Sequence, residues 1–154
     1  MKKRMTESIR QKISLYRKNR KDISDLIKDI DIKGEDLSGC IIKSFDRMNE
    51  DISDCNLSRC IIGEDKKITH LSRAIMVNCN FRNTVFKGNI WMRYVDARNT
   101  NFGSAFVPFV EYQHGDFRGC NFCDTVWRMG SRAGHDAKIN QKLIDLWAIE
   151  ISKE

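Results

Sequence analysis

Six cysteines and three histidines are the side chains in this sequence with the widest chemical repertoire, and their spacing decides whether they act together. Cys120-Asn121-Phe122-Cys123 has the CxxC spacing found in zinc and dithiol sites. A tetrahedral zinc site needs four ligands, and neither a second cysteine pair nor a histidine cluster accompanies this one. His70, His114 and His135 stand far apart, and none has a carboxylate and a nucleophile arranged about it for general acid–base work. Neither a P-loop nor the Rossmann glycine pattern is present. No catalytic residue, metal ligand or cofactor site is therefore assigned, and the chain reads as a non-enzyme. Met1-Lys2-Lys3-Arg4 resembles the charged start of a signal peptide, but polar and charged residues interrupt every apolar run over the next thirty or so positions. The expectation is a cytoplasmic protein (or a virion protein, if phage-encoded) with no membrane partner and with reduced cysteines.

The cysteines make sense once the elements that position them are sought. Leu37, Leu57, Phe81, Phe102 and Phe122 each follow an Asp or Asn, and successive members lie 20, 24, 21 and 20 residues apart. Inside each interval a large apolar residue recurs about every five positions: Ile42, Ile52, Ile62, Leu71, Met76, Phe86, Trp91, Ala97, Val107, Tyr112, Phe117 and Trp127. Two places before these centres stand mostly small residues, among them Cys40, Cys60, Ala74, Thr84, Ala105 and Thr125. A spacing of two puts both on one side of a short extended segment. Small and large inward residues then stack in separate columns as the chain coils. Cys120 points in and Cys123 out. Cys40 and Cys60 stack one coil apart, near the lower limit of disulfide reach, and are expected as free thiols. Leu37, Leu57, Phe81, Phe102 and Phe122 form one stacked core column, and the Asx residues before them form a ladder at a corner.

These segments, best seen in Cys55-Asn56-Leu57, Cys79-Asn80-Phe81 and Cys120-Asn121-Phe122, resemble the pentapeptide-repeat family. The resemblance implies an all-β solenoid, a right-handed quadrilateral β-helix of about four and a half coils over residues 34–129. The first coil departs from the pattern: Arg47 takes a centre, and Glu35 and Glu50 take small-residue positions. Gly63 to His70 carries four extra residues, expected as a polar loop and a candidate contact feature. A single extra residue is placed among Met92 to Asp96.

Both flanks read as α-helices. Residues 1–33 carry 11 Lys/Arg against 5 acids, so the whole net charge of +6 sits there, and the remainder is balanced. Ile9, Ile13, Tyr16, Ile23, Ile27 and Ile30 follow alternating steps of four and three, a helical seam interrupted only at Arg20. Arg10, Arg17, Lys18, Arg20 and Lys21 are the partner-binding candidates. Residues 130–154 read as a linker and a C-terminal helix whose stripe (Ile139, Leu143, Leu146, Trp147, Ile151) caps the last coil or dimerises. A β-helix has unpaired backbone at both ends, and such helices would cover it.

The function expected is that of a non-catalytic structural or adaptor protein. Its rigid rod docks to other protein subunits through the basic N-terminal helix, within a larger bacterial or phage assembly, and the terminal helices offer a route to homo-oligomers. Two alternatives remain. One is gyrase protection or toxin immunity by DNA mimicry, an activity of the resembled family that calls for strong negative charge. The other is nucleic-acid binding by the basic N-terminus, through phosphates alone, since Tyr16 is its one aromatic.

Overall fold

The computed structural model describes residues 2–129. The C-terminal helix expected within 130–154 lies outside the described residues. What is described is mostly β: a solenoid of about four turns with two short helices at its start.

Five strands, β3 (Ile41–Ile42), β4 (Ile61–His70), β5 (Val85–Trp91), β6 (Phe106–Glu111) and β7 (Val126–Met129), form one parallel sheet in sequence order. Isolated parallel bridges continue the stacking around each turn. Asp36, Asn56, Asn80, Asn101 and Asn121 pair in one ladder, and Asp51, Ile75, Asp96 and Asp116 in another. Backbone N–H and C=O groups therefore meet partners in neighbouring turns, as in Leu37 N to Asn56 O at 2.8 Å and Ile61 N to Cys40 O at 3.0 Å. That accounting is what lets the chain bury its backbone.

The large inward residues stack as the period requires. Phe81 and Phe102 lie with centroids 5.4 Å apart and planes 6° from parallel; Phe102 and Phe122 follow at 5.5 Å and 5°. Leu37 and Leu57 continue this column, and all five are buried. The small inward residues are chosen for more than size. Thr84 Oγ1 donates to Leu57 O at 2.5 Å, Thr100 Oγ1 to Met76 O at 2.6 Å and Thr125 Oγ1 to Phe102 O at 2.6 Å. Cys60, Cys79 and Cys120 aim Sγ in the same way at Leu37 O, Ile52 O and Ala97 O, at 3.0–3.1 Å. Each hydroxyl or thiol reaches the carbonyl of a centre in the preceding turn, so a small polar group is buried without being orphaned.

All six cysteines are free, and five are buried. Burial pushes the Cys60, Cys79 and Cys120 thiols up to about 12 and drives Cys55 higher still. A thiol that cannot ionise does not attack. In native protein at mildly alkaline pH one thiol, Cys123, should therefore react quickly with a disulfide reagent, and the other five only after unfolding. Counting equivalents released before and after adding denaturant checks this, and more than one fast equivalent would contradict it.

The Asx ladders supply corner hydrogen bonds. Asp36 Oδ1 accepts from Ser38 N at 3.0 Å and Asn56 Oδ1 from Ser58 N at 3.1 Å, and the same step recurs at Asn80, Asn101 and Asn121. Two residues after the centres the backbone turns left-handed, at Asn49, Asp54, Asn78, Asn83 and Asn99 among others. Asn and Asp tolerate that region best after glycine. The Arg98 guanidinium beside Asp96 holds its carboxyl below the ordinary range. Asp36 and Asp51 also fall: burial opposes their ionisation, but bonds from Ser38 to Asp36, and from Lys33 and Ser53 to Asp51, outweigh it. Folded values below the unfolded one stabilise the fold above about pH 4 and lose that contribution as pH falls through the depressed values. The denaturation midpoint should be flat from about pH 7 to 5 and drop below about 4, with a smaller drop in Asp96→Asn.

Two sequence expectations need correction. Residues 1–33 are not one helix: β1 (Lys3–Arg4), α1 (Glu7–Lys18), α2 (Ser24–Ile27) and β2 (Ile30–Asp31) divide them. Thr6 caps α1, its hydroxyl accepting from Ile9 N at 3.2 Å, and Arg20 ends the helical run with φ 57°. Beyond it the chain joins the solenoid, with Asp22 bridging Ile41 and Ile23 N donating to Ile41 O. The supposed seam is thus split between α1 and an added partial coil. Ile13, Ile23, Ile27 and Ile30 are buried, and Ile9 and Tyr16 pack against them.

The second correction concerns the single extra residue. Val85 pairs with Phe106 but Ile90 with Val110, so it lies between Val85 and Ile90, not among Met92 to Asp96. Met92 is consequently the buried centre, and Trp91 is turned outward and half-buried. The four-residue insertion sits directly against it, as a bulge within β4 between Gly63 and Ile68 rather than a separate loop. A Cβ on Gly88 (φ 75°) would lie 2.3 Å from Glu64 O and 2.4 Å from Lys67 O, so only glycine lets the two irregular turns nest.

Candidate interaction surfaces

The predicted partner-binding residues lie at the start of the solenoid, where only a partial coil precedes the first full one. Arg17 Nε donates to Ser38 O at 2.6 Å and Nη2 to Asp36 O at 3.1 Å, while Arg20 Nη1 reaches Gly39 O at 3.4 Å. Arg10 forks onto Glu35, at 3.2 and 2.8 Å. N–H groups of the same coil are met by side chains too: Lys43 N donates to Asp22 Oδ1 at 3.1 Å and Ser44 N to Ser24 Oγ at 2.9 Å. Arg10, Arg17 and Arg20 are therefore occupied in closing the solenoid. Lys18 and Lys21 are exposed, as are Lys3, Arg4 and Lys12; Lys21 Nζ sits 5.7 Å from the Tyr16 ring.

Arg47, read from sequence as an irregular centre, is the pivot of this closure. It is 2% exposed, and its guanidinium donates to Ile30 O at 2.7 Å, Ile27 O at 2.5 Å and Glu50 Oε2 at 3.1 Å. Glu50 also pairs with Lys2 at 3.2 Å. One buried cation thereby ties the N-terminal partial coil to the first full one. The misplaced pair of acids at small-residue positions, Glu35 and Glu50, now has a reason: Glu35 meets Arg10 of the cap, and Glu50 meets both Arg47 and Lys2 of the cap.

A second surface follows the bulges. Trp91 meets His70 edge-on at 5.2 Å and has the Arg93 guanidinium 4.7 Å above its ring. Tyr94 is sandwiched between Arg73 at 4.6 Å and His114 at 4.6 Å. Tyr94 takes φ 58° while half exposed, held between the His114 ring and the Arg73 guanidinium. Arg93 pairs with Glu111 at 3.1 Å. The sequence signal for this surface was the insertion at 63–70; Trp91 was missed because it was read as core.

A third surface is apolar. The outward position just before each inward residue of the sheet holds Ile41, Ile61, Val85, Phe106 and Val126, in register across all five strands. On the other sides that position holds the Asx ladder from Asp36 to Asn121, the series Asp51, Ile75, Asp96 and Asp116, and the series Asp46, His70, Trp91 and Glu111. No sequence reasoning singled these five out, although their equivalence followed from the period.

Among the described residues no group of three or more His, Cys, Asp or Glu is placed to hold a metal ion, and no helix is long and apolar enough to cross a membrane. No family model and no curated protein matches the chain.

Proposed function

We propose that the chain is a non-catalytic adaptor of the pentapeptide-repeat kind, a right-handed quadrilateral β-helix that holds a protein partner on the outer surface of its N-terminal cap. The observation that carries this reading is the division of labour in α1. Its inner side (Ile13, Arg17 and Arg10) is spent on the first coil, while Lys12, Lys18 and Leu15, the last 55% exposed, face outward, with exposed Lys21 just past the helix end. A rim of cations around one exposed leucine suits an acidic protein surface better than a bare phosphate chain. DNA mimicry has less support. The carboxylates along one ladder are neutralised in place, Asp96 by Arg98 at 2.8 Å and Asp116 by Arg118 at 2.6 Å.

The test uses the full chain, because deleting residues 1–33 would strip buried Ile23, Ile27, Ile30 and Ile32 from the core. Capture from a native lysate with wild type and with Lys12→Glu/Leu15→Glu/Lys18→Glu should lose its partner in the triple variant, with circular dichroism unchanged. Capture by a variant with the stripe residue Val85→Glu serves as the control. Equal recovery by wild type and triple variant would remove the cap from consideration. Release by nuclease treatment would favour the nucleic-acid reading instead.

A further inference from the structure

We propose that the apolar stripe Ile41–Ile61–Val85–Phe106–Val126 is the seat of the chain's own C-terminal segment, residues 136–151. The stripe is a systematic departure from the rest of the exterior. Equivalent positions on the other sides are Asp36, Asn56, Asn80, Asn101 and Asn121; Asp51, Ile75, Asp96 and Asp116; and Asp46, His70, Trp91 and Glu111, so Ile75 and Trp91 are isolated apolar residues among polar ones. On the sheet every one of five is β-branched or aromatic; Val85 is 39% exposed and the others half-buried. Strand propensity explains β-branched residues in a sheet but not an unbroken apolar line on its outer side, where alternation with polar residues is the norm. Beside the stripe the bulge in β4 raises a wall, leaving a groove of about 310 Å³ lined by Ile41, Lys43, Ile61, Glu64, Asp65 and Lys87.

The occupant is argued from where the chain goes and how long it is. Met129 ends β7, the last strand of this same sheet, so the following residues begin at one end of the stripe. Ile139, Leu143, Leu146, Trp147 and Ile151 recur at helical spacing. Sixteen residues of helix measure about 24 Å. The five strands span about 19 Å at the usual parallel-strand separation. Residues 130–135, with two glycines, reach up to about 20 Å when extended, ample for a turn onto the outer surface. Laid from Val126 toward Ile41, such a helix brings Trp147 about 16 Å along, near Ile61 and the groove. Polar Lys138 and Asp145 are left for the solvent side and Lys142 for its margin. This assignment is independent of the partner proposed for the N-terminal cap.

Hydrogen exchange on the full-length chain decides the matter. Amides of 136–151 should be protected at least about tenfold in wild type, and the protection should vanish in Val85→Glu/Phe106→Glu while strand amides of Thr84 to Ile90 keep theirs. It should also be unchanged by hundredfold dilution. Absence of protection in wild type overturns the proposal. So does protection that survives Val85→Glu/Phe106→Glu, which would place the segment over the open last coil. Protection that falls on dilution assigns the stripe to a second copy and likewise overturns it. Should the stripe variant fail to fold, Leu143→Glu/Trp147→Glu leaves the solenoid sequence untouched. That variant must then bind an apolar dye severalfold more than wild type, and equal binding counts against the proposal.

Discussion

Arg47→Ala should cost about 3–5 kcal/mol of stability, because it deletes a buried cation and leaves its partners behind. The guanidinium meets Ile27 O, Ile30 O and Glu50, and at 2% exposure water cannot readily replace it. Two carbonyls would lose the guanidinium together, while Glu50 keeps Lys2, and a buried acceptor without a partner costs about 1–3 kcal/mol on its own. Loss should be concentrated at the N-terminal end, so exchange at Ile23 to Ile32 should rise before that at Val107 to Trp127. Arg47→Lys should recover little, since one ammonium cannot fork to the same three groups. Urea unfolding of the two variants measures this. A loss under about 1 kcal/mol in Arg47→Ala would mean the cap does not depend on the tie.

Phe102→Ala is the second large effect, at about 3–5 kcal/mol. The ring is wholly buried and stands between Phe81 and Phe122, with Phe117 at 6.4 Å and Trp127 at 5.3 Å. Alanine would leave a void bounded by four rings that are held in register by backbone ladders and cannot collapse into it. Phe102→Leu should cost no more than about 1.5 kcal/mol, because the column already accepts leucine at 37 and 57. Thermal or urea unfolding of the pair separates size from shape. Equal losses in the two would show that ring stacking, not filled volume, dominates the column.

The core column was readable because a step of about twenty residues leaves no other way to bring Leu37, Leu57, Phe81, Phe102 and Phe122 together. The small inward positions were readable for the same reason, but not their bonds to the preceding turn, which depend on hydroxyl and thiol direction. Trp91 was misread because Met92, its neighbour, is also large and apolar. Spacing alone cannot choose between them, and the deciding residue is Gly88, whose positive φ absorbs the extra position. The N-terminal segment misled in a more instructive way. Ile9, Ile13 and Tyr16 belong to a helix, and steps of four and three appeared to carry on through Ile23, Ile27 and Ile30. Yet Ile27, Ile32, Leu37, Ile42, Arg47 and Ile52 follow one another at intervals of five, the solenoid's own rhythm extended upstream. Two periods overlapped on the same isoleucines. The break at Arg20 marks where one yields to the other. The charge surplus of residues 1–33 pointed to a partner, whereas its buried share is spent on carbonyls of the first coil.

The closure at the start of the solenoid bears on how the protein is made. Residues that seal the first coil precede it in the chain, so they leave the ribosome earlier and stand ready as a template. Each later turn then arrives beside a finished ledge of backbone donors and acceptors and can settle without waiting for the rest. Synthesis and assembly would advance in the same direction, one turn of about twenty residues at a time, with the newest edge the only one left open.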